Sequence, residues 1–282
     1  MSVVVVTIVH GRDEHLARQR EGLRRSTRVP DRHVVVAMDD PSVEAPGDLP
    51  FGTTVVDVPR TDGLLPLARA RNLGARTAVE AGATLLVFLD VDCIPAPGLV
   101  AAYAEAAAGP VTRDDLLCGP VAYLPPATAG GYDLDALDGL ADPHPARPAP
   151  AVGRVERDAA GHDLFWSLSF AVTPSTWETV GGFDERYAGY GAEDTDFARR
   201  AADAGRALAW VGSARSFHQH HPVSSPPVEH VVDIVRNAGI FHDTWGQWPM
   251  RGWLDAFERD GLVGRRDDGR YVVRPDCVPT GR

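Results

Sequence analysis

Leu85-Leu86-Val87-Phe88-Leu89-Asp90-Val91-Asp92-Cys93-Ile94-Pro95 is the stretch whose reading decides the fold. Five consecutive apolar residues, with Gly82 before and Pro95 after, make a short strand buried on both faces, far too short to cross a membrane. Two carboxylates one residue apart close it. Side chains alternate along an extended chain, so Asp90 and Asp92 point the same way if the strand geometry continues. Charges at the tip of a buried strand are costly unless something cationic meets them. The carboxyl ends of strands in open α/β sheets are where ligands sit, and a divalent metal carrying an anionic diphosphate satisfies both conditions. In the competing reading, one aspartate caps a helix that starts after Pro95, with Pro97 near its first turn.

Upstream, Val3 to Val9 is a β-branched run with the composition of a buried parallel strand. His10-Gly11-Arg12-Asp13 is a turn, and His15 to Arg25 reads as a helix with Leu16 and Leu23 two turns apart. His33 to Met38 and Thr53 to Val58 are two further strands, the first followed by Asp39-Asp40-Pro41. Pro66 to Glu80 has helical character, with Arg69, Arg71 and Asn72 near its start. Strand, helix, strand, strand, helix, strand is a βαβ-type order, which implies a mostly parallel sheet with right-handed crossovers.

Downstream, Gly98 to Ala108 reads as an alanine-rich helix and Leu116 to Leu124 as a strand. The segment 125–162 is rich in Pro, Gly, Asp and Ala and lacks a sustained apolar period, which marks a mobile insertion near the site. His144 and His162 fall in it and carry no role. Leu164 to Thr173 resumes strand composition, Pro174 to Val180 is a short helix, and Gly181-Gly182-Phe183-Asp184-Glu185 follows. Next comes a loop with Tyr187, Gly189, Tyr190 and Gly191, whose glycines admit close approach of a ligand and whose tyrosines offer apolar faces to sugar rings. Glu193 and Asp194 lie just upstream of a helix read over Phe197 to Ala204. A carboxylate there either deprotonates a hydroxyl nucleophile or simply complements the helix dipole. After a last core strand, Ala207 to Val211, come His218, His220 and His221. These are either one nitrogen ligand for a metal held by Asp92 or a solvated polar loop. Mixed carboxylate and imidazole ligation suits Mn²⁺ better than Mg²⁺. Pro227 to Phe257 is helical with Trp245, Trp248 and Trp253 as packing residues, and Gly264 to Arg282 reads as a hairpin or extended arm.

The bulk numbers bound the class. With 282 residues and 44% hydrophobic content the chain buries a sizeable core. A formal charge of -11 and a pI near 5.3 exclude the basic footprint of a nucleic-acid binder. All basic residues are arginine, a compositional bias without functional content. Cys93, Cys118 and Cys277 have no metal-type spacing and cannot all pair, which points to a reduced compartment. With no leader pattern and no transmembrane segment, the expectation is a soluble, cytoplasmic protein, with peripheral membrane contact left open.

The Asp90-Val91-Asp92 strand end, the Gly181-Gly182-Phe183-Asp184-Glu185 turn and Glu193-Asp194 before a helix, in this order, resemble a GT-A fold glycosyltransferase. The resemblance is to glycosyltransferase family 2 and to the C-terminal region of the galactosyltransferases, over roughly Val3 to His221. It implies an α/β fold, a Rossmann-like mixed and mostly parallel sheet flanked by helices. The expected division is a GT-A domain over 1–222, with the insertion at 125–162, and a C-terminal helical extension and tail over 223–282. It also implies a metal-dependent inverting transferase moving a sugar from a nucleotide-diphosphate donor, a UDP-sugar first among them. The acceptor is a hydroxyl on a glycan, a lipid-linked molecule or a small molecule, and the cofactor is Mn²⁺ or Mg²⁺.

Residue by residue, the resemblance places the nucleotide on Thr7 to Arg12, naming Thr7, His10 and Arg12. Asp39 holds the base or ribose, with Asp40 as the alternate, and Arg71 and Asn72 lie near the nucleotide or phosphates. Asp92 binds the metal and Asp90 contacts ribose or metal-bound water, with Trp166 and Gly182 completing the donor set. Asp194 is the base and Glu193 orients the sugar or acceptor. His218 is the late metal ligand, although the H-Q-H-H run departs from the simpler family pattern and keeps His220 as a rival. Three other readings stand beside this one. A nucleotidyltransferase needs a glycine-rich triphosphate loop, for which His10-Gly11-Arg12 is too sparse. A non-catalytic sugar- or nucleotide-binding scaffold leaves Glu193 and Asp194 unused, and a nucleotide-sugar hydrolase releases free sugar without an acceptor.

Overall fold

The computed structural model describes residues 1–222 and 224–274, so Cys277 and the end of the expected tail lie outside the described residues. In chain order the first half comprises β1 (Val3–Val9), α1 (Asp13–Arg24), β2 (Arg32–Met38), β3 (Gly52–Val58), α2 (Leu67–Glu80), β4 (Leu85–Leu89), β5 (Cys93–Pro95) and α3 (Leu99–Ala108). Then follow β6 (Leu116–Cys118), β7 (Val121–Tyr123), β8 (Asp142–Pro143), β9 (Val155–Asp158), β10 (Ser169–Val172), α4 (Pro174–Val180) and α5 (Glu193–Asp203). The chain continues through β11 (Leu208–Val211), β12 (Ser216–His218), α6 (Val231–Trp245), α7 (Arg251–Arg259), β13 (Val263–Arg265) and β14 (Tyr271–Val273).

The main sheet has eight strands in the order β3-β2-β1-β4-β10-β6-β11-β9. The first four are parallel, as the βαβ reading requires. β10 runs antiparallel to both β4 and β6, and β9 runs antiparallel to β11, so the sheet is mixed. The period of two in β1 splits its valines between two layers. Val4 and Val6 join the core under α2, whereas Val3 and Val5 join the core with Leu99 and Tyr103 of α3. A sheet covered on both faces explains why these strands are continuous apolar runs.

The structure differs from the sequence reading at several points in the chain. The strand expected over Leu116 to Leu124 is two strands in different sheets: β6 lies in the main sheet, and β7 joins a second sheet ordered β5-β12-β7-β8. The break falls at Gly119-Pro120. A Cβ at Gly119 would lie 2.0 Å from the Ala214 carbonyl oxygen, and Pro120 has no N–H for a ladder. The segment 125–162 is also more than a loop: β8 pairs with β7, and β9 closes the edge of the main sheet against β11. Its exposed Val-Glu-Arg-Asp composition suits an edge strand, which gives no alternating apolar signal. Finally, α5 begins at Glu193, so both acidic residues lie inside its first turn and not ahead of it.

The C-terminal part behaves as its composition suggests. Trp248 and Trp253 pack beside Ile234, Leu254 and Phe257, while the Trp245 indole donates to Asp196 Oδ1 at 2.9 Å and ties α6 to α5. β13 and β14 form the expected hairpin within the described residues. No helix among the described residues is long and apolar enough to cross a membrane.

Close packing of α2 on the sheet depends on Gly74, where a Cβ would come within 2.4 Å of Val6 Cγ1 and 3.1 Å of Val36 Cγ2. Gly74→Ala should therefore destabilise the protein by about 1–3 kcal/mol through overpacking, despite the higher helix propensity of alanine. Urea unfolding measures this, and an unchanged or raised midpoint contradicts the packing account.

Candidate active site

Four carboxyl strand ends lie side by side, and each delivers a polar residue: His10 after β1, Asp39 after β2, Arg60 after β3 and Asp90 after β4. Extended geometry does not continue through the aspartate pair. β4 stops at Leu89, and the Cys93 N–H donates back to the Asp90 carbonyl at 2.8 Å, so the pair sits on a tight turn. Gln19, fully buried on α1, holds that turn. Its Nε2 donates to the carbonyls of Asp90 at 2.7 Å and Cys93 at 3.2 Å, while its Oε1 accepts from the Thr7 hydroxyl at 2.9 Å. The sequence reading missed Gln19; the available signal was a polar residue on the apolar side of α1, between Leu16 and Leu23.

Asp92 faces two imidazoles. Its Oδ2 is 3.5 Å from His218 Nε2 and 3.4 Å from His221 Nε2, with Arg12 further out at 3.9 Å. The β12–β5 register sets His218 opposite Cys93, and the Gln219 N–H donates to the Asp92 carbonyl at 2.7 Å, which carries the chain on to His221. The ligand atoms of Asp92, His218 and His221 all lie within 4.8 Å of one another. His220 is not part of this group. Its side chain is exposed and its backbone N–H donates to the Tyr132 hydroxyl at 3.1 Å.

The donor set fits a divalent transition ion. Burial alone raises the Asp92 carboxyl, but hydrogen bonding to His221 and the charges of His218 and Arg12 outweigh it and lower it to about 2. Burial lowers the His218 imidazole, against the opposing pull of Asp92. An ionised carboxylate beside a neutral imidazole is the protonation state a metal needs.

The second acidic cluster meets the first through Arg71. This guanidinium, 4% exposed, donates to Asp90 Oδ1 at 3.1 Å and to Glu193 Oε1 at 3.2 Å. Burial by itself lowers the Arg71 pKa, and the facing carboxylates Asp90 and Glu193 more than reverse it. Burial and then the Asp194 charge push Glu193 up to about 7, and burial and the Asp92 charge, against Arg71, leave Asp90 at about 6. Glu193 Oε2 is buried without a partner among the described residues. Asp194 is half-buried, its Oδ1 accepts from the Thr195 N–H at 2.7 Å, and burial raises its pKa. The loop before α5 is clamped from behind by Asn237 of α6, whose Nδ2 donates to the carbonyls of Ala188, Tyr190 and Gly191.

The remaining expected donor residues divide into two groups. His10, Asp39 and Arg12 lie at the open strand ends, where Arg60 donates to Asp39 Oδ2 at 2.7 Å and to His10 Nε2 at 3.1 Å. Trp166 is half-buried, edge-on to His144 at 4.7 Å between ring centroids. The others are turned inward. Thr7 is buried, its hydroxyl shared between Gln19 and His33, so it is no ligand contact. Asp40 is spent on the Gly11 N–H and on Ser42, leaving Asp39 as the exposed member of the pair. Arg71 is the internal counter-ion and does not lie open to phosphate. The Asn72 amide is occupied by Phe183 N–H, Phe183 carbonyl and Glu185, and a Cβ at Gly182 (φ +69) would lie 2.8 Å from Asn72 Oδ1. Asn72 and Gly182 therefore shape the 181–185 turn.

Comparison with known proteins agrees with this architecture. A family model described as the N-terminal domain of galactosyltransferase matches residues 161–222, the segment carrying the 181–185 turn, Glu193, Asp194 and the histidines. Validoxylamine A glucosyltransferase of Streptomyces hygroscopicus subsp. limoneus is 31% identical over 71% of this chain. The chain spans about half the length of that relative, 47%. The N-acetylglucosaminyl-diphospho-decaprenol L-rhamnosyltransferase of Mycobacterium tuberculosis is 27% identical over 89% of this chain and 88% of its own length. Among solved structures, GalNAc-T7 with UDP, GalNAc and Mn²⁺ superposes with a TM-score of 0.55 at 16% identity, over 93% of this chain and 57% of that one. TarS of S. aureus, residues 1–349, gives 0.53 at 13% identity, over 87% and 72%. The fold is GT-A, and the chain is related to the GT-A glycosyltransferases.

Two predictions follow from the buried polar contacts. Gln19→Leu strands the carbonyls of the aspartate turn and should cost about 1–3 kcal/mol of stability, seen as a lowered urea midpoint; a neutral result removes Gln19 from the account. Glu193 carries a folded pKa of about 7 against an ordinary 4.5. The folded state therefore holds the extra proton between those values, and stability falls as pH rises through that window. Glu193→Gln should flatten this part of the Tm–pH profile of the metal-free protein, and an unaltered slope contradicts the shift.

Proposed function

We propose that this chain transfers a sugar from a nucleotide-diphosphate donor, a UDP-sugar first among the candidates, to a hydroxyl acceptor with inversion at the anomeric carbon. The observation that carries this reading is the buried Arg71 between Asp90 and Glu193, which brings an aspartate turn at a strand end and an acidic helix start to one place. Glycosyltransferase relatives and the GalNAc-T7 structure with UDP and Mn²⁺ support the donor class and the metal.

The nucleotide is assigned to the strand ends at His10, Arg12, Asp39 and Arg60, with Trp166 on the far side. Asp92, His218 and His221 would hold Mn²⁺, or Mg²⁺ with lower preference for two imidazoles. Bound there, the ion would neutralise the leaving diphosphate. Asp194 accepts the proton of the acceptor hydroxyl. The new bond to the anomeric carbon forms from the face opposite the departing phosphate oxygen, which inverts that centre. Glu193, its Oε1 fixed by Arg71, presents Oε2 to a hydroxyl of the sugar or acceptor, and its elevated pKa lets it donate as well as accept. Arg71 keeps Asp90 and Glu193 in place, a positioning role. The acceptor meets the Tyr190 side of the cleft, and is a glycan, a lipid-linked molecule or a small molecule. We read the described part of the C-terminal extension, residues 224–274, as bracing the loop before α5, with α6 as its contact.

Asp194→Asn should lower kcat by about 10²–10⁴ and leave the affinity for a UDP-sugar with Mn²⁺ nearly intact, measured by isothermal titration beside a turnover assay. Near-normal turnover refutes the assignment of the base. His221→Ala should weaken Mn²⁺ binding by about tenfold or more, with His220→Ala unchanged; the reverse order assigns the ligand to His220.

A further inference from the structure

Arg147 is the least expected charge in the molecule. It belongs to the segment 125–162 and is 7% exposed, yet all three of its guanidinium nitrogens are buried without a hydrogen-bond partner among the described residues. No carboxylate lies within ion-pair distance of it among the described residues. The group lies between two indoles, 5.1 Å from the Trp166 ring centroid and 5.0 Å from that of Trp210. Cation–π contact offsets part of the cost of burying a guanidinium but satisfies none of its five N–H donors. Trp210 Nε1, another donor, is also buried without a partner. The groups within electrostatic reach are Cys93, Cys118, Tyr103 and Tyr123. Burial pushes the Cys118 thiol and the Tyr123 phenol each up to about 12 and raises Cys93 as well, so none of them supplies a negative charge.

The surroundings are asymmetric. Trp210, Tyr103, Cys93 and Cys118 are buried, whereas Trp166, His144 and Tyr123 are half-buried. Those three form a continuous run of rings toward the candidate metal site: Trp166 meets His144 at 4.7 Å, His144 meets Tyr123 at 5.7 Å, and Tyr123 stacks on His218 at 4.8 Å. The partly exposed rings beside the guanidinium therefore lead to the candidate metal site. A planar fork of donors with no internal acceptor matches the oxygens of a phosphate group.

We propose that Arg147, with the Trp210 indole N–H beside it, is an oxyanion site for a substrate phosphate reaching in from the cleft past Trp166 and His144. The phosphate belongs either to the donor diphosphate or to a phosphorylated acceptor. The inference rests on the reading of the cleft as a substrate site. It gives the segment 125–162 a binding role of its own.

The test uses the full chain with Mn²⁺ and follows tryptophan fluorescence and Tm, because Trp166 and Trp210 flank the site. Inorganic phosphate and UDP are titrated separately into the wild type, Arg147→Met and Arg147→Lys. The wild type should respond to phosphate saturably, with the response lost in Arg147→Met and weakened about tenfold in Arg147→Lys, which keeps the charge without the fork. If UDP competes with phosphate and binds Arg147→Met about tenfold less tightly, the donor supplies the phosphate. If UDP binds the variant normally and phosphate still binds the UDP-loaded wild type, the acceptor supplies it. A wild type that binds UDP with Mn²⁺ but shows no saturable phosphate response, or one shared by Arg147→Met, overturns the proposal and leaves Arg147 as an aromatic-sandwiched cation. Should Arg147→Met fail to fold, Arg147→Lys carries the comparison with the wild type, and a phosphate response undiminished in it overturns the proposal. Failure of UDP to bind the wild type at all counts against the donor reading instead.

Discussion

A single buried guanidinium organises the candidate site. Arg71 reaches from the first turns of α2 to Asp90 on one side and Glu193 on the other. Without it, three carboxylates would face one another in a poorly solvated place, where like charges and burial both oppose ionisation. With it, two acidic groups separated by more than a hundred positions in the chain are held together at distances of 3.1 and 3.2 Å. Removing one partner of such a buried pair costs more than the pair contributes to stability, so the arrangement is better understood as fixing geometry than as strengthening the fold. Asp90 and Glu193 remain raised, at about 6 and about 7, because burial and neighbouring carboxylates outweigh one shared cation.

The scaffold does the positioning through backbone and amide contacts. Gln19 fixes the turn that carries Asp90 and Asp92, Asn72 fixes the 181–185 turn, and Asn237 fixes the loop ahead of α5. Each amide is supplied by a helix and satisfies backbone groups of a segment that has no regular structure. A loop held this way presents its side chains with the precision of a rigid element. It also explains why several expected donor contacts lie inside the protein: Thr7, Arg71, Asn72 and Asp40 support the residues that face the cleft.

The parts legible in the sequence are those governed by local periodicity. The β-branched run Val3–Val9, the apolar strand Leu85–Leu89 and the amphipathic helix Leu67–Glu80 declare themselves because burial on one or two faces dictates composition. The aspartate turn and the Glu193-Asp194 pair were legible as charges in places where charge is costly. What escaped were features settled in three dimensions. The split of β6 from β7 depends on Gly119 meeting the Ala214 carbonyl, and β9 is strand only because β11 offers it an edge. His221 rather than His220 faces Asp92 because of how the chain turns after β12, which spacing alone does not determine. Arg71 reads as a nucleotide or phosphate contact at a helix start until Asp90 and Glu193 are placed around it, and Arg147 sits in a segment with no periodic signal at all.

The central claim is that Asp92 with its two imidazoles and Asp194 with Glu193 face one bound donor. A crystal structure of the protein with a UDP-sugar and Mn²⁺ tests it most directly. The account predicts one ion on Asp92, His218 and His221, the diphosphate against it, and the sugar lying between that ion and the Asp194 carboxylate. A donor bound with its sugar directed away from Asp194, or an ion held without any of those three residues, would contradict it.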